Sequence, residues 1–322
     1  MTGKAVTKWL LVAALVVGSM AAFGQHYPSR PIRIIVPFPP GGASDIIART
    51  VGQKLTQRWG QQAIIDNRPG AGGSIAAEIA KNAAPDGYTL FFAASAQLAV
   101  NPSLYSKVPY DPVRDFAPVI LTGFGVNILV AHPSVGARSL KEFIAIAKAK
   151  PGLQYASPGS GSTAHLSAEL LKIQTGIDIQ HVPYKGAAPG VVDVLAGQVP
   201  LMFVTIPSVI GHVKAGKLVA LGVTSAKRSP AAPDVPTFAE TLPGFEATSW
   251  YGFVAPAGTP REVVTRLNRE VAAILKLPEV REVLTTTGTE IGGSTPEAFG
   301  RHIKSELGKW AAVVKKSGAR VD

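Results

Sequence analysis

Short β-branched runs alternate with stretches of helical periodicity along most of the chain, and Gly- or Pro-rich turns separate them. Residues 32–36 (IRIIV) read as a strand. The turn PFPPGGAS leads from it into a helix on which Ile47, Val51, Leu55 and Trp59 recur every four residues along one face. Residues 63–65 and 89–93 read as further strands around a helix over 74–82, and 127–131 as another strand. Ser139 and Glu142 predict a capping box, opening a helix that buries Phe143, with Ile146 beside it. Strands at 153–156, 181–182, 201–204 and 218–223 continue the alternation, with helices over 163–174, 187–196 and 208–215. Thr259, Pro260 and Glu262 predict a second capping box with Pro at N1, and the last helix stacks Ile303, Leu307, Trp310 and Val314 on one face.

Strands spaced by helices imply parallel sheets flanked by helices, the doubly wound α/β class. The length of 322 residues is enough for two such units, each with its own core. Two extended segments, 125–132 and 249–256, are candidate crossings between them. If the chain leaves the first unit at one and returns at the other, the units comprise 25–125 plus 253–322 and 126–252, with a hinged cleft between. No internal repeat of 20–50 residues is evident.

The N-terminus changes this picture. Lys4 and Lys8 precede the uncharged apolar run 9–23, and Ala22 and Gly24 suit the −3 and −1 positions of a secretory signal, so residues 1–24 read as a signal peptide cleaved between Gly24 and Gln25. A membrane span needs about 20 apolar residues. The formal charge of +11 becomes +9 after removal of the two lysines, and the remaining basic residues are dispersed, without the clustered stripe that nucleic-acid binding requires. Zero Cys excludes disulfides, thiolate metal sites, cysteine nucleophiles and lipidation at an N-terminal cysteine, so a soluble periplasmic protein is expected.

No catalytic constellation emerges. The run Gly72-Gly73-Ser74-Ile75-Ala76 approaches a nucleophile elbow but ends in Ala, and neither Gly-rich stretch carries the Lys of a P-loop. His165 and Glu169 share a helix face but two groups do not close a metal site, and a helix-surface pair is the expected reading. What stands out is a pair of Gly-rich turns, 39–45 (PPGGASD) and 157–163 (SPGSGST), each opening a helix. A helix N-terminus carries unpaired N–H groups and the positive end of the macrodipole, and small residues let an anion approach them. Taken singly, either turn is more simply read as helix capping, and Asp45 also suits a helix dipole.

The segments YPSRPIRIIVPFPPGGASD, DNRPGAGGSIAAEIA, APDGYTL, YDPVRDFAPV, KPGLQYASPGSGSTAHLSAELL, HVPYKGAAPG and AGKLVALGVTS, in this order, resemble the periplasmic substrate-binding receptors of tripartite tricarboxylate transporters, the Bug receptors. The resemblance runs over essentially the whole chain after the signal. It implies a type II-like periplasmic-binding-protein fold, no enzymatic activity, no cofactor or metal, a monomer, and a small carboxylate ligand (a dicarboxylate or aromatic acid) passed to large and small membrane subunits. It places Phe38, Gly41, Gly42, Ala43, Asp45, Ala94, Ser95 and Ala96 on one side of the cleft. Ser157, Gly159, Ser160, Gly161, Ser162, Thr163 and His165 would face them, with Tyr184, Lys185, Gly186 and Ala187 closing the side. One departure matters. Where relatives read approximately V-D-x-M-F-D, this chain has Val199 to Val204, both acids gone, which predicts a ligand without an amino group, contacted by Phe38, Phe203 or Tyr184. A sensor for a membrane signalling protein, or a secreted hydrolase using Ser74 or Ser160, are the alternative readings.

Overall fold

In the computed structural model, which describes residues 27–321, two sheets are built around the apolar runs. The first contains β1 (Ile32–Val36), β2 (Ala63–Asn67), β3 (Thr89–Ala94) and β4 (Phe116–Gly125). The second contains β5 (Asn127–Ala131), β6 (Leu153–Ser157), β7 (Ile179–Pro183), β8 (Leu201–Thr205) and β9 (Val219–Val223). The chain then returns to the first sheet as β10 (Ser249–Pro256) and β11 (Thr289–Ile291). Strand order is β11-β4-β10-β3-β1-β2 in one and β7-β6-β8-β5-β9 in the other.

Helices cover the sheets because their strands are apolar on both faces. They are α1 (Ala43–Trp59), α2 (Ser74–Lys81), α3 (Asn101–Leu104), α4 (Leu140–Ala149), α5 (Thr163–Thr175), α6 (Ala187–Leu195), α7 (Ile210–Lys214), α8 (Arg261–Ile274), α9 (Pro278–Thr286) and α10 (Pro296–Ser317). On α1, Ile47, Val51 and Leu55 are buried, while Gly60 ends the helix in the left-handed region and donates to the Thr56 carbonyl. On α10, Ile303, Trp310 and Val314 are buried, and Leu307 packs at their edge.

Three expectations change. The sheets are mixed: β10 runs antiparallel to β3 and β4, and β5 runs antiparallel to β8 and β9. These are the strands next to the two crossings, where the chain passes from one sheet into the other and reverses direction relative to its neighbours. Segment 249–256 is itself a strand, and residue 252 lies within it. The capping box at Thr259 does not form. Pro260 is extended (ψ 136°), α8 starts one residue later, and the Thr259 hydroxyl donates back to the Pro256 carbonyl at 2.7 Å. At α4, Ser139 accepts from the Glu142 amide, but the Glu142 carboxylate takes the Arg138 amide instead of that of Ser139.

A single residue, Val126, separates β4 from β5. Gly125 lies opposite Ser249, and Asn127 lies opposite Thr205, next to the carboxyl ends of β8 and β9. The carboxyl ends of the parallel strands in both sheets therefore converge on the same crossing. One apolar cluster joins the lobes, with Phe91, Leu98 and Trp310 of the first and Leu129, Phe143 and Phe203 of the second among its members.

Candidate binding cleft

Each Gly-rich turn continues a strand at this converging edge. Val36 of β1 runs through Pro37 and Phe38 into Pro39-Pro40-Gly41-Gly42, and Gly42 is the N-cap of α1. Gly41 has φ +92°, a conformation L side chains rarely adopt. Gly41, Gly42 and the start of α1 at Ala43 are solvent-accessible. Asp45 is buried and wholly engaged. It accepts from the Gly41 amide (2.9 Å), from Arg49 Nε (2.9 Å) and from Asn67 Nδ2 (2.9 Å), and the same Asn67 amide also donates to the Phe38 carbonyl. Burial alone pushes its carboxyl up, but the hydrogen bonds from Arg49, Gly41 and Asn67 hold it below the usual carboxylate range. At the end of β3, the Ala94 amide donates to Gln97 Oε1, Ser95 is buried, and Ala96 opens a π-helical turn over Ala96–Val100.

The second turn continues β6. The Ser157 hydroxyl sits 2.6 Å from His181 Nε2 and accepts from the Gly159 amide at 3.2 Å. Ser162 is the N-cap of α5, its Oγ accepting from the His165 amide and donating to the Gly159 carbonyl. Ser160 is exposed, and Gly161 has φ +75° and donates to His165 Nδ1 at 3.1 Å. Thr163 Oγ1 is tied to both crossings, 3.0 Å from Ser249 Oγ and 3.4 Å from Asn127 Nδ2. Tyr184 and Gly186 donate backbone N–H groups to the Ser157 and Pro158 carbonyls, which docks the 184–187 segment against this turn. Lys185 is exposed and Ala187 opens α6, while the Tyr184 hydroxyl is committed to Asp193 at 2.6 Å.

Two expectations are corrected by side-chain placement. Phe203 is fully buried, its ring against Tyr155 and Phe238, because β8 is covered on both faces. His165 and Glu169 are not a surface pair, since α5 is wedged between the second sheet and α10. His165 instead stacks on His181 with ring centroids 4.0 Å apart, and Glu169 accepts from Tyr155 and Lys172. Burial, with the charge of Lys172 adding to it, pushes His165 down to about 4; burial and then His165 do the same for His181. Ser157 and His181 have the spacing of a nucleophile and its base, but Ser157 is fully buried under the turn.

The sequence reading did not assign Asn67, Arg49, His181 or the turn at Gly72-Gly73. Gly73 fits against Pro37 and Gln97, where a Cβ would lie 2.8 Å from Pro37 Cβ, so this turn lies beside the first one. The Gly72 carbonyl accepts from Gln97 and Asn101. The run Gly70 to Gly73 was the available signal. Two surface grooves, of about 570 and 470 Å³, are lined by residues 261–269 and by 112–118 with 296–304, and include no residue of either turn.

The model of the tripartite tricarboxylate transporter family receptor matches residues 47–319. This chain belongs to that receptor family. Protein BugT of Bordetella pertussis is 40% identical over 298 residues, spanning 92% of this chain and 91% of its own. Among solved structures, R. palustris Rpa4515 with adipate has a TM-score of 0.79 at 38% identity, covering 92% of this receptor and 100% of that chain. MatC from Rhodopseudomonas palustris with bound malate has a TM-score of 0.74 at 33% identity, covering 89% and 100%. Among the described residues of the receptor, no helix is long and apolar enough to cross a membrane. Its N-terminal 26 residues, including the expected cleavage after Gly24, lie outside the described residues.

Proposed function

We propose that this receptor works in the periplasm, captures a small dicarboxylate without an amino group between its two lobes, and delivers it to the membrane subunits of a tripartite tricarboxylate transporter. The observation that carries this reading is the donor set of the two turns. Among the described residues, the amides of Gly42, Ala43 and Ser44 in one turn and of Ser160, Thr163 and Ala164 in the other take no intramolecular acceptor. Such amides at two helix N-termini suit two carboxylates. The only carboxylate in either turn, Asp45, is already engaged and leaves nothing for an ammonium group. Val204, at the position where relatives carry an acid, is buried in an apolar cluster.

The lobes we assign are residues 25 to about 125 with about 253 to 322, and the segment between, with closure as a hinge motion favoured by ligand that touches both. The adipate and malate of the two structural relatives fit the class of ligand. Isothermal titration with adipate, malate, benzoate, aspartate and glutamate tests it. A dicarboxylate is expected to bind most tightly and to raise the melting temperature, the stabilisation reaching about 2.7 kcal/mol at a hundredfold excess over Kd. Tighter binding of aspartate or glutamate overturns the absence of an amino group, and silence from the entire panel overturns the carboxylate reading.

A further inference from the structure

The two turns differ in sequence, yet their backbones are held by the same device. In each, the amide of the glycine just before the N-cap donates to the side chain of the third helical residue: Gly41 to Asp45 Oδ2 at 2.9 Å, and Gly161 to His165 Nδ1 at 3.1 Å. Both glycines have positive φ, +92° and +75°, and both acceptors lie four residues on. In a capping box the third helical residue accepts the N-cap amide; here the bond reaches one residue further out. Each acceptor is fixed from behind. Arg49 and Asn67 hold Asp45, while His181 stacks on His165 and is itself anchored 2.6 Å from Ser157, which accepts the Gly159 amide.

We propose that Asp45 and His165 are matched positioning residues, each latching the glycine before its helix so that the next amides stay unpaired and aimed at an anion. The latching is a claim about the free protein; its use for a carboxylate rests on the function proposed above. Each latch occupies one donor and leaves the next amides available. The side chains differ because their surroundings differ. Asp45 carries a charge that would repel an anionic ligand, and Arg49 offsets it at 2.9 Å. His165 acts uncharged, since accepting at Nδ1 requires a bare nitrogen there and the proton on Nε2. The groups facing the imidazole pair are Tyr155 from β6 and Glu169 and Lys172 from α5, with His165 Nε2 3.9 Å from Glu169.

The test uses the mature protein, ¹⁵N-labelled and ligand-free, with the variants H165A, H165N, D45A and D45N. Asn places an oxygen near the position of Nδ1, and D45N retains an acceptor for Gly41. Amide exchange of Gly161 is expected to be slow in the wild type, about tenfold faster in H165A and close to wild type in H165N. Gly41 is expected to follow the same order for D45A and D45N, each variant disturbing its own turn alone. The ¹⁵N shifts of the His165 ring should report the Nε2–H tautomer. Rapid exchange of both glycine amides in the wild type, the Nδ1–H tautomer, or H165N behaving like H165A overturns the proposal. If H165A fails to fold, the wild-type tautomer and H165N decide it. Titration with adipate and malate forms the second arm: weaker binding in H165A, restored in H165N, supports the latch, and equal binding in both and the wild type overturns its role. If neither compound binds the wild type, the carboxylate reading is in question while the exchange data still decide the latch.

Discussion

His165 and His181 lie face to face beneath the second Gly-rich turn, and their neutrality has a cost in acid. Both are lowered to about 4 from an ordinary value of 6.5, first by burial. As pH falls from about 6.5 toward 4, the unfolded chain takes up protons that the native imidazoles refuse, so stability is complete above this window and declines through it. For His165 the loss at full depth is on the order of 3 kcal/mol. His302, also lowered by burial, adds to the same slope. Melting followed by circular dichroism between pH 7 and 4.5 should show this decline, shallower in H165N than in wild type. An equal slope in both would remove His165 from the account.

Gly161 makes a second case at this scale. A Cβ there would lie 2.6 Å from Leu104 Cδ2 on the other lobe, in addition to the strain at φ +75°. G161A should cost about 2 kcal/mol of stability and weaken ligand binding. Adding L104A should relieve the clash but leave the backbone strain, so recovery is partial; full recovery would mean that φ is not strained. The two turns were legible in the sequence as Gly runs that follow a strand and open a helix. Asn67 and His181 were not, since each acts from a strand distant in sequence.

Among the elements, α10 is tied to the first sheet by one carboxylate. Glu306 Oε2 accepts from both Trp250 Nε1 (3.1 Å) on β10 and Trp310 Nε1 (2.9 Å) on its own helix, and Lys309 holds Oε1 at 2.6 Å. Trp250, Trp310 and Glu306 are all buried. E306L leaves two indole N–H groups without an acceptor and should cost about 3 kcal/mol, whereas E306Q keeps one oxygen and should cost about 1 kcal/mol or less. Urea unfolding of the two variants checks the order. Helical periodicity revealed α1 and α10 because each buries one face and wets the other. It could not say which way Phe203 points, because β8 sends Met202 and Val204 into one apolar cluster and Phe203 into another. Strand direction was equally hidden: β5 and β10 look like any other apolar run, and only their position next to a crossing makes them antiparallel.

At the scale of the molecule, the alternation of elements announced two α/β units, and the extended runs near 125 and 250 marked where the chain passes between them. The candidate cleft was placed from there, because the carboxyl ends of open α/β sheets are where ligands gather. The sequence did not disclose how firmly the lobes share a core, since that depends on residues such as Leu98, Leu129 and Trp310 that meet only in the folded chain. The second sheet is built from residues that lie entirely between two strands of the first. Tension applied between residues 27 and 321 would therefore enter through the first lobe alone. The backbone of the first lobe should yield before that of the second is stretched, so a receptor pulled from its ends would rupture in a fixed order.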